Sequence, residues 1–234
     1  MDFEIQLTSD GSHTLFVPEM DEHYHSVNGA IQESMHVFIE AGLRECNIRQ
    51  CNKKSIRILE LGFGTGLNAF LTCLEAEKTG LQIHYTGLEK YPLPMELIRK
   101  LNYSEQYPEN KNETYLKIHL CNWDFPTEIT ENFTIQKVKV DFSTYNFPEK
   151  YDIVYYDAFA PDKQTNVWTQ EVFNRLFSCM NSGGILTTYC AKGTVRRMMK
   201  EAGFEVERIP GPPGKREMLR ATRKDIQEIE ILNI

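Results

Sequence analysis

ILELGFGTGLN, residues 58–68, runs from an apolar segment through Gly62, Gly64 and Gly66 into a helical pattern, NAFLTCLEAEK. A strand that breaks into alternating glycines and then opens a helix lets the backbone turn tightly and approach a ligand closely. The spacing is Glu-x-Gly-x-Gly-x-Gly, whereas dinucleotide binders use G-x-G-x-x-G to set a pyrophosphate on a helix N-terminus. Glu60, two residues before the first glycine, reads as an acid in the mouth of that loop. It suits a cationic ligand better than a pyrophosphate.

Working outward, strands and helices alternate. SIRILEL, LQIHYTGLE, FTIQKVKVD, YDIVYYD and GGILTTYC read as strands, with PMELIRKL, TQEVFNRLFSCM and TVRRMMKEAGF as helices among them. FEVERI and REMLRAT, joined by PGPPGK, read as a closing antiparallel pair. The pattern predicts a mostly parallel, seven-stranded Rossmann-like α/β sheet with an antiparallel last strand and helices on both faces. Residues 55–234 form that domain. Residues 1–54 form an extension: a hairpin (FEIQL, SDGS, HTLFV) and a helix over 31–41 that stops at Gly42. Residues 101–132, polar and rich in asparagine, resist assignment and read as a specificity insertion.

In such sheets ligands bind at the carboxyl ends of the strands. Glu89, at the end of the second strand, is placed to take the hydroxyls of a ribose. Asp141, ending the third, is placed near an adenine. With Gly62, Phe63, Gly64, Thr65, Gly66 and Asn68 along the loop, these acids describe a pocket for S-adenosyl-L-methionine. Asp157 also belongs to that pocket. The stretch YYDAFAPDKQTNVW, residues 155–168, puts Asp157, Phe159 and Pro161 where the fourth strand gives way to a loop. An acid there accepts hydrogen bonds from an amine, and an aromatic two residues on can stack on the group that carries it.

Net charge is −7 over 234 residues, which argues against a nucleic-acid partner until its distribution is read. Cys190–Lys224 holds ten basic residues against four glutamates, a net of +6 that leaves −13 for the rest. No apolar run approaches the ~20 residues of a membrane span. The N-terminus lacks the basic and apolar regions of a secretion signal. The six cysteines form no CxxC pair and no histidine cluster supports a metal, so reduced thiols in the cytoplasm are expected.

GFGTGLN, DAFAP, NVWTQEVFNRLF, SGGILTTYCAKGTVRRMMKEAGF and GKREMLRA, with YHSVNGAIQESMHVFIEAGL near the N-terminus, together resemble the methyltransferase domain of the bacterial tRNA wobble-uridine enzymes of the MnmC/MnmD type. The resemblance covers nearly the whole chain except 101–132. It implies a class I S-adenosyl-L-methionine-dependent methyltransferase that converts 5-aminomethyl-2-thiouridine in tRNA to 5-methylaminomethyl-2-thiouridine. It also implies a stand-alone form without the flavin oxidoreductase part, acting after a separate enzyme has installed the aminomethyl group. On this reading Asp157 and Phe159 are the catalytic pair, and Tyr24 and Trp168 flank the base, with core packing the competing role for Trp168. Lys192, Arg196, Arg197, Lys215 and Arg216 would hold the anticodon-stem backbone. Asp157 reads as an orienting acceptor rather than a base, because an ordinary carboxylate is poorly matched to an alkylammonium. Water, Tyr24, Tyr155 or Tyr156 would then take the proton. Two other readings remain: a class I methyltransferase for another amine or small molecule, and a non-catalytic S-adenosyl-L-methionine- or RNA-binding module.

Overall fold

The N-terminal hairpin forms as expected: β1 (Glu4–Leu7) pairs antiparallel with β2 (His13–Val17), and β3 (Glu22–His23) extends the small sheet. The computed structural model describes residues 2–50, 53–107, 109 and 111–224, so Cys51 and the end of the chain from 225 lie outside the described residues. Asp10, in the hairpin turn, accepts the Gln32 backbone N–H at 2.9 Å. It thereby satisfies one of the orphan donors at the start of α1 (Ala30–Ser34), whose own N-cap, Gly29, has no side chain to do so.

That helix does not stop at Gly42. It continues as a π-helix over Met35–Arg44 and then as α2 (Glu45–Arg49). Gly42 serves packing instead: a Cβ built on it would lie 3.1 Å from the Tyr155 ring. The absent side chain lets the helix lie close against the sheet.

The remaining elements alternate: β4 (Ser55–Leu61), α3 (Leu67–Thr79), β5 (Gln82–Glu89), α4 (Met95–Ile98), α5 (Asn112–Leu120), β6 (Thr127–Thr130), β7 (Phe133–Lys139) and β8 (Tyr151–Tyr156). α6 (Gln170–Cys179), β9 (Met180–Thr188), α7 (Gly193–Glu201), β10 (Phe204–Pro210) and β11 (Glu217–Arg223) complete them. The sheet order is β10-β11-β9-β8-β4-β5-β7-β6. β4 is parallel to both β5 and β8, and β11 is antiparallel to both β9 and β10. The predicted antiparallel last strand is therefore present. An eighth strand, β6, adds to the edge as a hairpin with β7, and it comes from within the unassigned 101–132 segment.

Period-2 alternation divides the core. Ile56 and Ile58 pack on one face of β4, while Leu59 and Leu61 pack on the other. Ile153 and Tyr155 share the first face; Val154 and Tyr156 share the second. The first face is covered jointly by α3 and the N-terminal helix, so that core runs from Leu15 and Phe38 through to Ile185. β4 lies between β5 and β8, which leave it in opposite directions across the sheet. The crevice at their carboxyl ends is where such a fold accommodates a ligand.

Candidate active site

Gly62, Gly64 and Gly66 have φ of +91°, +49° and +69°, the left-handed region that glycine enters without a Cβ clash. Gly62 also needs the space: an added Cβ would sit 2.5 Å from the Asp157 carbonyl oxygen. The loop is hooked to the end of β5, where the Leu88 carbonyl accepts the Gly62 and Phe63 N–H groups at 3.1 and 3.0 Å. Glu89 accepts the Gly64 N–H at 2.9 Å and the Tyr91 N–H at 2.8 Å, one on each carboxylate oxygen.

These ends border a cavity of about 620 Å³, within the range of small-molecule sites. Tyr24, Phe63, Asn68, Asp141, Asp157 and Phe159 line it, with Gly62, Gly64, Thr65, Glu89 and Lys215. Its charged lining is acidic: among the described residues, Glu22, Glu33, Glu89, Asp141 and Asp157 face only Lys90 and Lys215. Asp141 is held by Lys90 at 2.8 Å and by the Ser143 N–H at 2.9 Å. The Lys90 bond and the Ser143 contact hold its pKa below the usual aspartate value.

Asp157 and Glu60 meet on one amide. Asn68, on the first turn of α3, donates from Nδ2 to Glu60 Oε1 and to Asp157 Oδ2, each at 2.8 Å. This fixes the amide orientation, since the reverse would aim its oxygen at two carboxylates. Burial raises Asp157 to about 7, with Glu33 adding to the rise and Asn68 opposing it. Glu60 is fully buried and pushed far above the carboxylate range by burial, then by Asp157. Glu60 does not line the cavity, contrary to the sequence expectation. Its place on β4 points it to the same face as Ile56 and Ile58, under α3. Asn68 lines the cavity, with an Oδ1 that is buried and unpartnered.

Other expectations are revised. Trp168 is core, 6% exposed, with its ring 4.4 Å from Tyr156; its Nε1 donates to the Phe159 carbonyl at 2.8 Å. It steadies the loop that carries Phe159 and does not flank the cavity. Tyr155 and Tyr156 are both fully buried, on opposite sheet faces, and neither reaches the cavity. The Tyr156 hydroxyl is spent on the Val167 carbonyl. Tyr24 does reach it, edge-on to Phe159 with centroids 5.0 Å apart.

The basic set divides. Lys192 pairs with Asp162, Arg208 with Glu217, Arg220 with Glu207 and Lys224 with Glu205. Lys215 lies in the cavity wall, its Nζ 2.7 Å from Glu33 and 3.9 Å from the centre of the Tyr189 ring. The final hairpin loop thus sets Lys215 in the cavity wall beside Tyr189, apart from the exposed arginines. Arg197 and Arg216 are exposed and Arg196 is partly so, and none of the three lines the cavity. Glu33 and Tyr189, both cavity-lining, escape the sequence reading; the helical spacing of IQESMHVFIEA marks Glu33 only as a polar position.

The residues present fit S-adenosyl-L-methionine. The glycine loop leaves space where Cβ atoms would lie, Asn68 Oδ1 is an orphaned acceptor for an ammonium, and the lining carboxylates suit a sulfonium. Among the described residues there is no cluster of His, Cys, Asp or Glu able to hold a metal, and no helix is long and apolar enough to cross a membrane.

Comparison with known proteins agrees. A family model described as S-adenosyl-L-methionine-dependent methyltransferase matches residues 98–224. Over 227 residues the chain is 30% identical to a Cupriavidus metallidurans protein named tRNA 5-methylaminomethyl-2-thiouridine biosynthesis bifunctional protein MnmC, covering 91% of this chain and 32% of that protein. A Pseudomonas fluorescens protein of the same name is 32% identical over 215 residues, covering 86% and 32%. The chain thus spans about a third of the length of these curated relatives. The crystal structure of MnmC2 from Aquifex aeolicus superposes with a TM-score of 0.79 at 26% identity, covering 100% of this chain and 76% of that one. Spermidine synthase from Thermotoga maritima, at 14% identity and a TM-score of 0.52, shares the fold.

Proposed function

This chain belongs to the S-adenosyl-L-methionine-dependent methyltransferases, and on that premise we propose that it methylates the aminomethyl nitrogen of 5-aminomethyl-2-thiouridine at the tRNA wobble position. The observation that carries the proposal is Asp157 on the cavity wall, gripped at one oxygen by Asn68, with Phe159 two residues further on the same rim. The names of the relatives supply the acceptor.

Bound S-adenosyl-L-methionine supplies an electrophilic methyl group on a sulfonium. The protein's task is to hold the amine nitrogen in line with it, and such alignment can contribute on the order of 7–11 kcal/mol. Asn68 holds Asp157 Oδ2, which leaves Oδ1 for a hydrogen of the amine. With burial lifting Asp157 to about 7, this carboxylate is better matched to receiving a proton than an ordinary aspartate. Of the candidate tyrosine acceptors, only Tyr24 faces the cavity, and burial beside Glu89 keeps its hydroxyl protonated. Phe159, edge-on to Tyr24, offers a stacking surface for the extruded base. Glu89 takes the ribose and Asp141 lies toward the adenine.

On this reading the tRNA backbone rests on Arg196, Arg197 and Arg216, which lie outside the cavity lining, in a cytoplasmic enzyme that acts after another has installed the aminomethyl group. Nucleoside analysis of tRNA from cells lacking this chain tests the reading. We expect 5-aminomethyl-2-thiouridine to accumulate and the methylated nucleoside to return on complementation with the wild type but not with Asp157→Ala. An unchanged nucleoside profile in the deletion would refute it.

A further inference from the structure

We propose that the 101–132 segment is a clamp on the cofactor loop, with Tyr115 and His119 as positioning residues that act through Thr65. Thr65 is the one non-glycine between Gly64 and Gly66, and its main chain is gripped from behind. Its carbonyl accepts the Tyr115 hydroxyl at 2.8 Å and His119 Nε2–H at 3.0 Å. Its hydroxyl meets His25 Nε2 at 2.7 Å from the other side. Both grips on the carbonyl come from α5, one turn apart, because residues four apart share a helix face.

The fit is tight. A Cβ on Gly66 would lie 2.6 Å from His119 Nε2, and the His119 ring packs edge-on against Phe63 and Tyr115 with centroids 5.5 and 4.8 Å away. Burial, with the Lys137 charge adding, lowers His119 to about 3, and burial lowers His25 to about 4. Both rings stay neutral in the physiological range, so the single His119 proton sits on Nε2, where the carbonyl requires it. The same segment holds the N-terminal hairpin: Asn102 donates to the Gly11 carbonyl at 2.9 Å and accepts the His13 N–H at 2.8 Å. One segment thus fastens both the hairpin that leads to His25 and the helix that carries His119, and the two histidines meet on Thr65.

Neither Tyr115 nor His119 lines the cavity, whereas Phe63, Gly64 and Thr65 do. The clamp therefore acts by keeping three glycine dihedrals in their binding conformation before the ligand arrives, so ordering them is not charged to binding. This inference rests on the cofactor assignment and not on the tRNA acceptor.

The test is calorimetric titration of S-adenosylhomocysteine and S-adenosyl-L-methionine into the full chain carrying Tyr115→Phe, His119→Ala or His119→Gln. Tyr115→Phe removes one oxygen and should raise Kd by roughly 3- to 10-fold, the worth of one hydrogen bond. His119→Ala should raise it further, and His119→Gln, which restores an N–H, should recover part of the loss. Methyl transfer at saturating cofactor should stay within about twofold of wild type, so that KM for the cofactor moves and kcat does not. Should His119→Ala fail to fold, Tyr115→Phe decides. A folded Tyr115→Phe with unchanged Kd for both ligands, or a kcat collapse at unchanged Kd, overturns the proposal. Because S-adenosylhomocysteine binding involves no tRNA, a wrong acceptor would leave this result standing.

Discussion

Asn68 and Asp157 are joined by a 2.8 Å hydrogen bond between residues 89 positions apart, and the same amide nitrogen reaches Glu60 at 2.8 Å on its other side. The amide thus separates two carboxyl groups that would otherwise repel in a buried site. It also favours the charged form of Asp157 against burial and against Glu33.

Removing that bond should be visible in the pH profile. Asn68→Ala should raise the Asp157 pKa, because the deleted hydrogen bond favoured the carboxylate. If the deprotonated form accepts the amine, the acidic limb of kcat against pH moves to higher pH. At pH 7 the rate should fall roughly 10- to 100-fold, as a bond to a charged group implies. An acidic limb that stays in place would separate Asp157's ionisation from catalysis.

The raised Asp157 also predicts a pH-dependent stability. Between the unfolded value of 3.8 and the folded value of about 7, the native state holds a proton that the unfolded state has released. Stability contributed by this group is therefore fully present below pH ~4 and is lost as pH rises through about 7. Asp157→Asn removes the penalty and should raise Tm at pH 8, where each kcal/mol is worth ~2–4 °C in a chain of this size. At pH 4 it should change Tm little. Thermal melts at the two values check this, and equal shifts at both would contradict it.

Trp168 separates packing from positioning. Trp168→Phe keeps a ring against Tyr156 and Phe173 but loses the N–H that holds the Phe159 carbonyl. We expect a cost of ~1 kcal/mol in stability and a rise in KM for tRNA, with cofactor affinity unchanged. Trp168→Ala should cost ~3–5 kcal/mol. Chemical denaturation and steady-state kinetics distinguish the two.

The basic residues should sort by their partners. Arg197→Ala and Arg216→Ala should weaken tRNA binding and lower the slope of log affinity against log salt by about 0.7–0.9 for each phosphate no longer neutralised. Lys215→Ala should leave that slope unchanged, because its ammonium is committed to Glu33 and Tyr189 in the cavity wall. A salt slope that falls for Lys215→Ala and not for the arginines would reverse the assignment.

The sheet was legible because its signals are local: apolar runs, glycines at strand ends and helical spacing all act over a few residues. Asp157, Glu89 and Asp141 were legible because each ends a strand or lies just beyond one. Glu60 was misplaced although the parity of β4 held the answer, since it shares a face with Ile56 and Ile58. Tyr155 and Tyr156 fail as proton acceptors by the same alternation. What could not be read were long-range pairings: Asn68 with Asp157, Lys215 with Glu33, and His119 with Thr65 are 89, 182 and 54 residues apart. Nothing in the local pattern of 101–132 announces that its helix meets the glycine loop at the Thr65 carbonyl.

The central claim is tested most directly by reconstitution. tRNA bearing 5-aminomethyl-2-thiouridine is incubated with the purified chain and methyl-labelled S-adenosyl-L-methionine, then digested to nucleosides and separated. The account predicts label in 5-methylaminomethyl-2-thiouridine alone. In Asp157→Ala the label should fall by two orders of magnitude or more, roughly what removal of a ~3 kcal/mol transition-state interaction implies, while that variant still binds the cofactor. Label in any other nucleoside, or no label from a protein that binds both the cofactor and the tRNA, would contradict it.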